Sequence, residues 1–102
     1  MTVSAQYQIH HLQYLDNEGQ LLRNDLPENL RDPAALVPFF KQMLMTRLFD
    51  SKAVALQRTG KLGTYAPCLG HEAAHVGIGA VMRNGDAFAP SYREYGAMLV
   101  RG

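Results

Sequence analysis

The chain has 102 residues, a formal net charge of +1 and a single cysteine. That length suits one small domain or one piece of a larger one, and with 47% of its residues apolar it can bury a modest core. The near-neutral balance gives no basic surface for nucleic acid or an anionic membrane, one thiol excludes an internal disulfide and fits a reducing compartment, and no run of about 18 apolar residues offers a membrane span.

The opening MTVSAQYQIHH lacks a basic head followed by an apolar stretch, so a secretory signal is not expected and a cytoplasmic protein is. Residues 6–26 read as two short extended runs around a turn. Tyr7, Ile9 and His11 alternate with polar residues, Asp16-Asn17-Glu18-Gly19 supplies the turn, and Leu21 and Leu22 begin the return. Such a β-hairpin is marginal alone and needs a surface to lie on. Residues 24–31 are polar around Pro27 and read as a linker, so residues 1–31 form an N-terminal arm and 32–102 a helical part.

Asp32-Pro33 predicts a helix start, with Asp32 as cap and Pro33 at the first helical position. Leu36, Phe40, Met43, Leu44, Arg47, Leu48, Ser51, Val54, Ala55 and Arg58 keep a three-and-four spacing, mostly apolar on one side. Pro38 removes one donor near the start, and Gly60 marks the stop, so the helix spans roughly 25 residues, about 38 Å at about 1.5 Å per residue. The run GKLGTYAPCLG over 60–70 predicts a loop. A second helix is expected over 71–82, where Ala73, Ala74, Gly77, Gly79 and Ala80 suggest close packing. Asn84-Gly85 ends it. A short buried strand around Phe88 is expected over 86–91, then a third helix over 92–100. The fold class is thus mainly α, with a hairpin or extended arm and one short strand.

Gly70-His71-Glu72-Ala73-Ala74-His75 contains the H-E-x-x-H pattern of zinc peptidases. On a helix the two imidazoles share one face, Glu72 would be the general base, and Glu94, nineteen residues after His75, would be a third ligand. Against this zinc-hydrolase reading, nothing in so short a chain offers a substrate cleft, and Gly70 puts the motif at a helix start. Cys68, between Pro67 and Leu69, reads as a small apolar filler rather than a reactive thiol. Ala87 breaks the resemblance of Gly85-Asp86 to a metal-binding Gly-Asp-Gly motif. Met43, Leu44 and Met45 read as core.

The run TRLFDSKAVALQRTGKLGTYAPCLGHEAAHVGIGAVMRNGDAFAPSYREYGAMLVRG resembles the alpha subunit of thiamine-diphosphate-dependent 2-oxo acid dehydrogenases, which include pyruvate, branched-chain 2-oxo acid and acetoin enzymes. The resemblance covers essentially the whole chain, beginning with YQIHHLQYLDNEGQLL as the subunit's N-terminal arm, and GTYAP is especially like bacterial pyruvate dehydrogenase alpha subunits. It implies that the H-E-x-x-H pattern arises because His75 happens to follow the family's position His71, and that no metal is held there. It implies a parent α/β thiamine-diphosphate-binding fold and oxidative decarboxylation of a 2-oxo acid, with the acyl group passing to a lipoyl arm of an acyltransferase component. It implies a beta subunit in an α2β2 heterotetramer. Tyr92 and Arg93 match the family's tyrosine-arginine pair at the cofactor's diphosphate, a role that suits a guanidinium fork and a phenol. Thr64 and Tyr65 match the loop at the active-site mouth, and Ala66 stands where some relatives carry histidine. The family's Gly-Asp-Gly and downstream asparagine, which bind Mg²⁺ with the diphosphate, do not occur in these residues. The expectation is therefore an N-terminal piece of the alpha subunit, inactive alone and prone to self-association. A stand-alone interaction module is the third reading.

Overall fold

A computed structural model describes residues 2–102. The chain falls into two compact units, one up to Arg31 and one from Asp32 to Gly102, and the regular elements among the described residues are helices.

In the first unit the turn forms where the sequence places it, but the hairpin does not. The Asp16 carboxylate accepts the Glu18 and Gln20 N–H groups at 3.0 and 2.7 Å. Gly19 takes a φ of 80°, which a side chain would resist. Beyond the turn, pairing is limited to one antiparallel bridge, Leu15 with Leu21, and a bond from Leu22 N–H to the Tyr14 carbonyl at 2.8 Å. The expected strands do not form: Tyr7 and Ile9 are 87% and 98% exposed, and a ladder without an apolar face to bury is marginal. The linker holds a one-turn 3-10 helix, Glu28–Leu30.

The second unit packs three helices: α1 (Pro33–Arg58), α2 (Glu72–Val81) and α3 (Tyr95–Arg101). The Asp32 carboxylate accepts the Ala34 N–H at 2.9 Å and Pro33 opens α1, as the sequence predicts. Pro38 lies in the second turn without ending the helix. Gly60, at φ 72°, turns the chain away after Arg58.

The buried side of α1 is not its apolar stripe. Thr46, Asp50 and Ala53 are buried, whereas Leu36, Phe40, Leu44 and Leu48 of the apolar stripe are exposed. Two short helices of small residues cover little of a 26-residue rod, and they lie on its small polar side. The apolar stripe therefore stays uncovered within these residues.

The predicted second helix is one residue shorter at each end, and of its small residues only Gly79 is buried. A Cβ on Gly79 would stand 2.8 Å from the Val100 Cβ and 3.0 Å from the Ala97 carbonyl oxygen, so α2 and α3 meet backbone to backbone there. Gly96 is the second close approach: its Cβ would lie 2.8 Å from both the His75 Cβ and the Thr46 Cγ2. All three helices converge at this point. The buried core around it is small, comprising Ala53, Cys68, Val76 and Ala97 with Thr46.

No strand forms over 86–91, where the sequence reading expected one. Pro90 has no N–H to give a ladder, and no other strand is present among the described residues to pair with. Instead Arg83 and Asp86 close a turn, and the Arg101 guanidinium donates to the Asp86 carbonyl at 3.0 Å. The third helix starts at Tyr95 rather than 92. The Glu94 carboxylate reaches back to the Ser91 N–H at 2.8 Å, and Tyr95 N–H closes on the Arg93 carbonyl at 2.8 Å, which tightens residues 91–95 into a turn.

Candidate functional site

The loop after α1 has no regular structure over residues 63–69 apart from bends and turns, yet it is firmly held. Asp50 faces inward from α1, only 4% exposed. Its Oδ1 accepts the Tyr65 hydroxyl at 2.8 Å and the Cys68 backbone N–H at 2.7 Å. A buried carboxylate is tolerated when its oxygens are bonded in this way. The Tyr65 ring stacks on Tyr95 at 5.0 Å, and Tyr95 in turn meets Phe49 at 6.0 Å. Burial, reinforced by the bond to Asp50, raises the Tyr65 phenol above its ordinary value. The same two causes push the Cys68 thiol up to about 11. Cys68 is fully buried, which matches the filler role read from the sequence and removes it from solution chemistry.

One residue before Cys68, the Pro67 carbonyl accepts Nη1 of Arg93 at 2.6 Å. Arg93 lies half-buried in the turn that enters α3, with its guanidinium 5.3 Å from the centre of the Tyr92 ring. Tyr92 is 65% exposed. A guanidinium has five N–H donors in a fork, so four remain after the bond to Pro67. Tyr92 and Arg93 thus present a phenol and an oriented cation side by side. Thr64 is exposed on the loop, while the Tyr65 hydroxyl is already used by Asp50.

The H-E-x-x-H residues serve a different purpose. Glu72 is buried, and its two oxygens accept Nε of Arg47 at 2.9 Å and the Gly70 N–H at 3.0 Å. The Arg47 hydrogen bond is the main cause that brings the Glu72 carboxyl down to about 2. Gly70, at φ 89°, brings its N–H round to this carboxylate. Glu72 therefore ties the start of α2 to α1 and is not free to act as a base. His75 is 3% exposed with its Nδ1 unpartnered, and its ring sits 5.5 Å from that of His71. Burial first, then the neighbouring His71, lowers the His75 pKa below its ordinary value. Glu94 is engaged by Ser91. Among the described residues no three His, Cys, Asp or Glu side chains gather in a way that would hold a metal ion.

Sequence reading missed Asp50, because a carboxylate on a helix is ordinarily solvent-facing. A signal was present: Thr46, Asp50 and Ala53 recur at intervals of four and three, a row of small residues that suits close packing.

A family model described as the dehydrogenase E1 component matches residues 40–102, from the second turns of α1 through Arg93 to the end. The chain belongs to this dehydrogenase E1 component family. It is 46% identical over 78 residues to the 3-methyl-2-oxobutanoate dehydrogenase subunit alpha of Mycobacterium tuberculosis, covering 76% of this chain and 20% of that protein. It is 33% identical over 91 residues to the pyruvate dehydrogenase E1 component subunit alpha of Staphylococcus epidermidis, and equally to that of Staphylococcus aureus, covering 89% of this chain and 24% of each relative. The resemblance to 2-oxo acid dehydrogenase alpha subunits is thereby established. The chain spans a fifth to a quarter of the length of these E1 relatives. No solved structure matches it.

Proposed function

We propose that this chain supplies part of the diphosphate-binding wall of a thiamine-diphosphate-dependent 2-oxo acid dehydrogenase. The observation that carries the proposal is the Tyr92-Arg93 pair, which lies inside the region matched by the E1 family and presents an oriented guanidinium beside an exposed phenol. These two side chains fit the oxygens of a diphosphate. They do not complete its site, and no metal-ligand cluster accompanies them among the described residues. When bound, the cofactor supplies the electron sink for decarboxylation. Arg93 and Tyr92 orient it by its phosphate end. The reaction needs residues beyond this chain, so the 102 residues alone are inactive in this reading.

The substrate assigned is a branched-chain 2-oxo acid, supported by the 46% identity to a 3-methyl-2-oxobutanoate enzyme. The pyruvate reading, drawn from GTYAP, is supported by the 33% relatives. The partners proposed are a beta subunit and a lipoylated acyltransferase component, in the cytoplasm. In the full natural protein, Arg93→Ala is expected to weaken thiamine diphosphate binding at least tenfold, given ~1.5–3 kcal/mol for a hydrogen bond to a charged group. Calorimetric titration with the cofactor and Mg²⁺ reads this directly, and unchanged affinity would remove the assignment.

We propose further that the 102-residue chain self-associates through the exposed stripe of Leu36, Phe40, Leu44 and Leu48. Light scattering is expected to give a mass above that of one chain at micromolar concentration. A monomer across the accessible range would contradict it.

A further inference from the structure

We propose that Asp50 is a positioning residue for Arg93, acting through the loop that lies between them. The inference rests on the diphosphate-binding reading of Arg93 above. The chain of contacts is short and complete. The Asp50 carboxylate, fixed on α1, takes the Cys68 N–H at 2.7 Å. The same peptide group carries the Pro67 carbonyl, which takes Nη1 of Arg93 at 2.6 Å. A second bond, from the Tyr65 hydroxyl to the same Oδ1 at 2.8 Å, fixes the other side of the bend.

The loop has no helix or sheet of its own to hold the Pro67 carbonyl in place. Apart from the bond to Arg93 itself, the loop backbone is tied to a side chain outside the loop by the Cys68 N–H, which donates to Asp50. Removing that acceptor frees the peptide between residues 67 and 68. The guanidinium then loses its fixed partner and samples more directions. A ligand that needs the fork in one direction must then order it on binding, which weakens affinity. Asp50 is buried and touches no ligand in this scheme, so its effect on diphosphate binding runs through the loop to Arg93.

The test is a double-mutant cycle on thiamine diphosphate affinity, measured by calorimetry with Mg²⁺ in the full natural protein without a 2-oxo acid. Asp50→Ala is expected to weaken binding about five- to tenfold. Asp50→Asn keeps an oxygen for both donors and is expected to restore binding to within about twofold of the parent. In the Arg93→Ala background, Asp50→Ala is expected to add nothing. If Arg93→Ala leaves affinity unchanged, the diphosphate reading fails and this inference falls with it. If Arg93→Ala weakens binding but Asp50→Ala is silent or fully additive, the positioning role alone is overturned. Should Asp50→Ala not fold, the same cycle with Tyr65→Phe, which removes one of the two anchors, decides. It is expected to weaken binding two- to threefold in the parent and not at all beside Arg93→Ala, and a silent or additive effect overturns the role.

Discussion

Gly96→Ala is expected to lower the stability of the helical unit by about 1–2 kcal/mol, and Gly96→Val by more. The added Cβ would stand 2.8 Å from carbons of both His75 and Thr46, neither of which is the far end of a flexible side chain. Overpacking of this kind costs ~1–3 kcal/mol, occasionally more. The helix preference of alanine over glycine returns up to ~1 kcal/mol, so the steric term wins. A unit of this size has only a few kcal/mol in total, and Val would displace α3 from the other two helices. Urea denaturation followed by circular dichroism measures both variants. An unchanged midpoint for Gly96→Ala would mean that the three helices do not meet as closely as described.

The second large effect is acid lability from two sites around the same junction. Folded His75 resists protonation because it is buried and faces His71, with Glu72 and Glu94 pulling weakly the other way. Below its ordinary value of 6.5 the unfolded chain takes up a proton there that the folded chain refuses. Stability is therefore full above pH 6.5 and falls as pH drops through that value towards the lower folded one. Glu72 adds a second window. Its folded pKa of about 2 lies below the ordinary 4.5, so its contribution is full above pH 4.5 and is lost as pH falls towards 2. Arg47 is largely solvated, which discounts the ion pair. Denaturation midpoints measured from pH 8 to pH 3 should decline in two stages. His75→Gln should flatten the upper stage and Glu72→Gln the lower one. A parent profile level between pH 7 and pH 5 would show that His75 is not buried neutral.

Helix positions were readable because their signals are local. Asp32-Pro33 and Gly60 bracket α1 to within two residues, and Asn84-Gly85 follows α2. The buried side of α1 was not readable. Leu36, Phe40, Leu44 and Leu48 form a true apolar stripe, but a stripe states what needs covering, not what these residues can supply. The strand at Phe88 failed for a related reason, since strand pairing depends on a partner distant in sequence. At the proposed site, Arg93 was named by resemblance alone; Glu72 was named by motif, and it proves to be a tie between helices rather than a base. Asp50 escaped because its partners, Tyr65 and Cys68, lie fifteen and eighteen residues away in a loop.

The contact between Asp50 and Cys68 also limits how the sequence can drift. A side chain that loses its partner can be repaired by changing the partner: Phe at 65 would relieve the Tyr65 hydroxyl if position 50 became Leu. The other donor to Asp50 belongs to the main chain, and no exchange of side chains at 68 removes it, proline excepted. An oxygen acceptor at 50 is thus imposed by the path of the backbone. The residue at 68 can vary in size and chemistry as far as burial permits, while the residue at 50 is confined to Asp or Asn as long as the loop keeps its course.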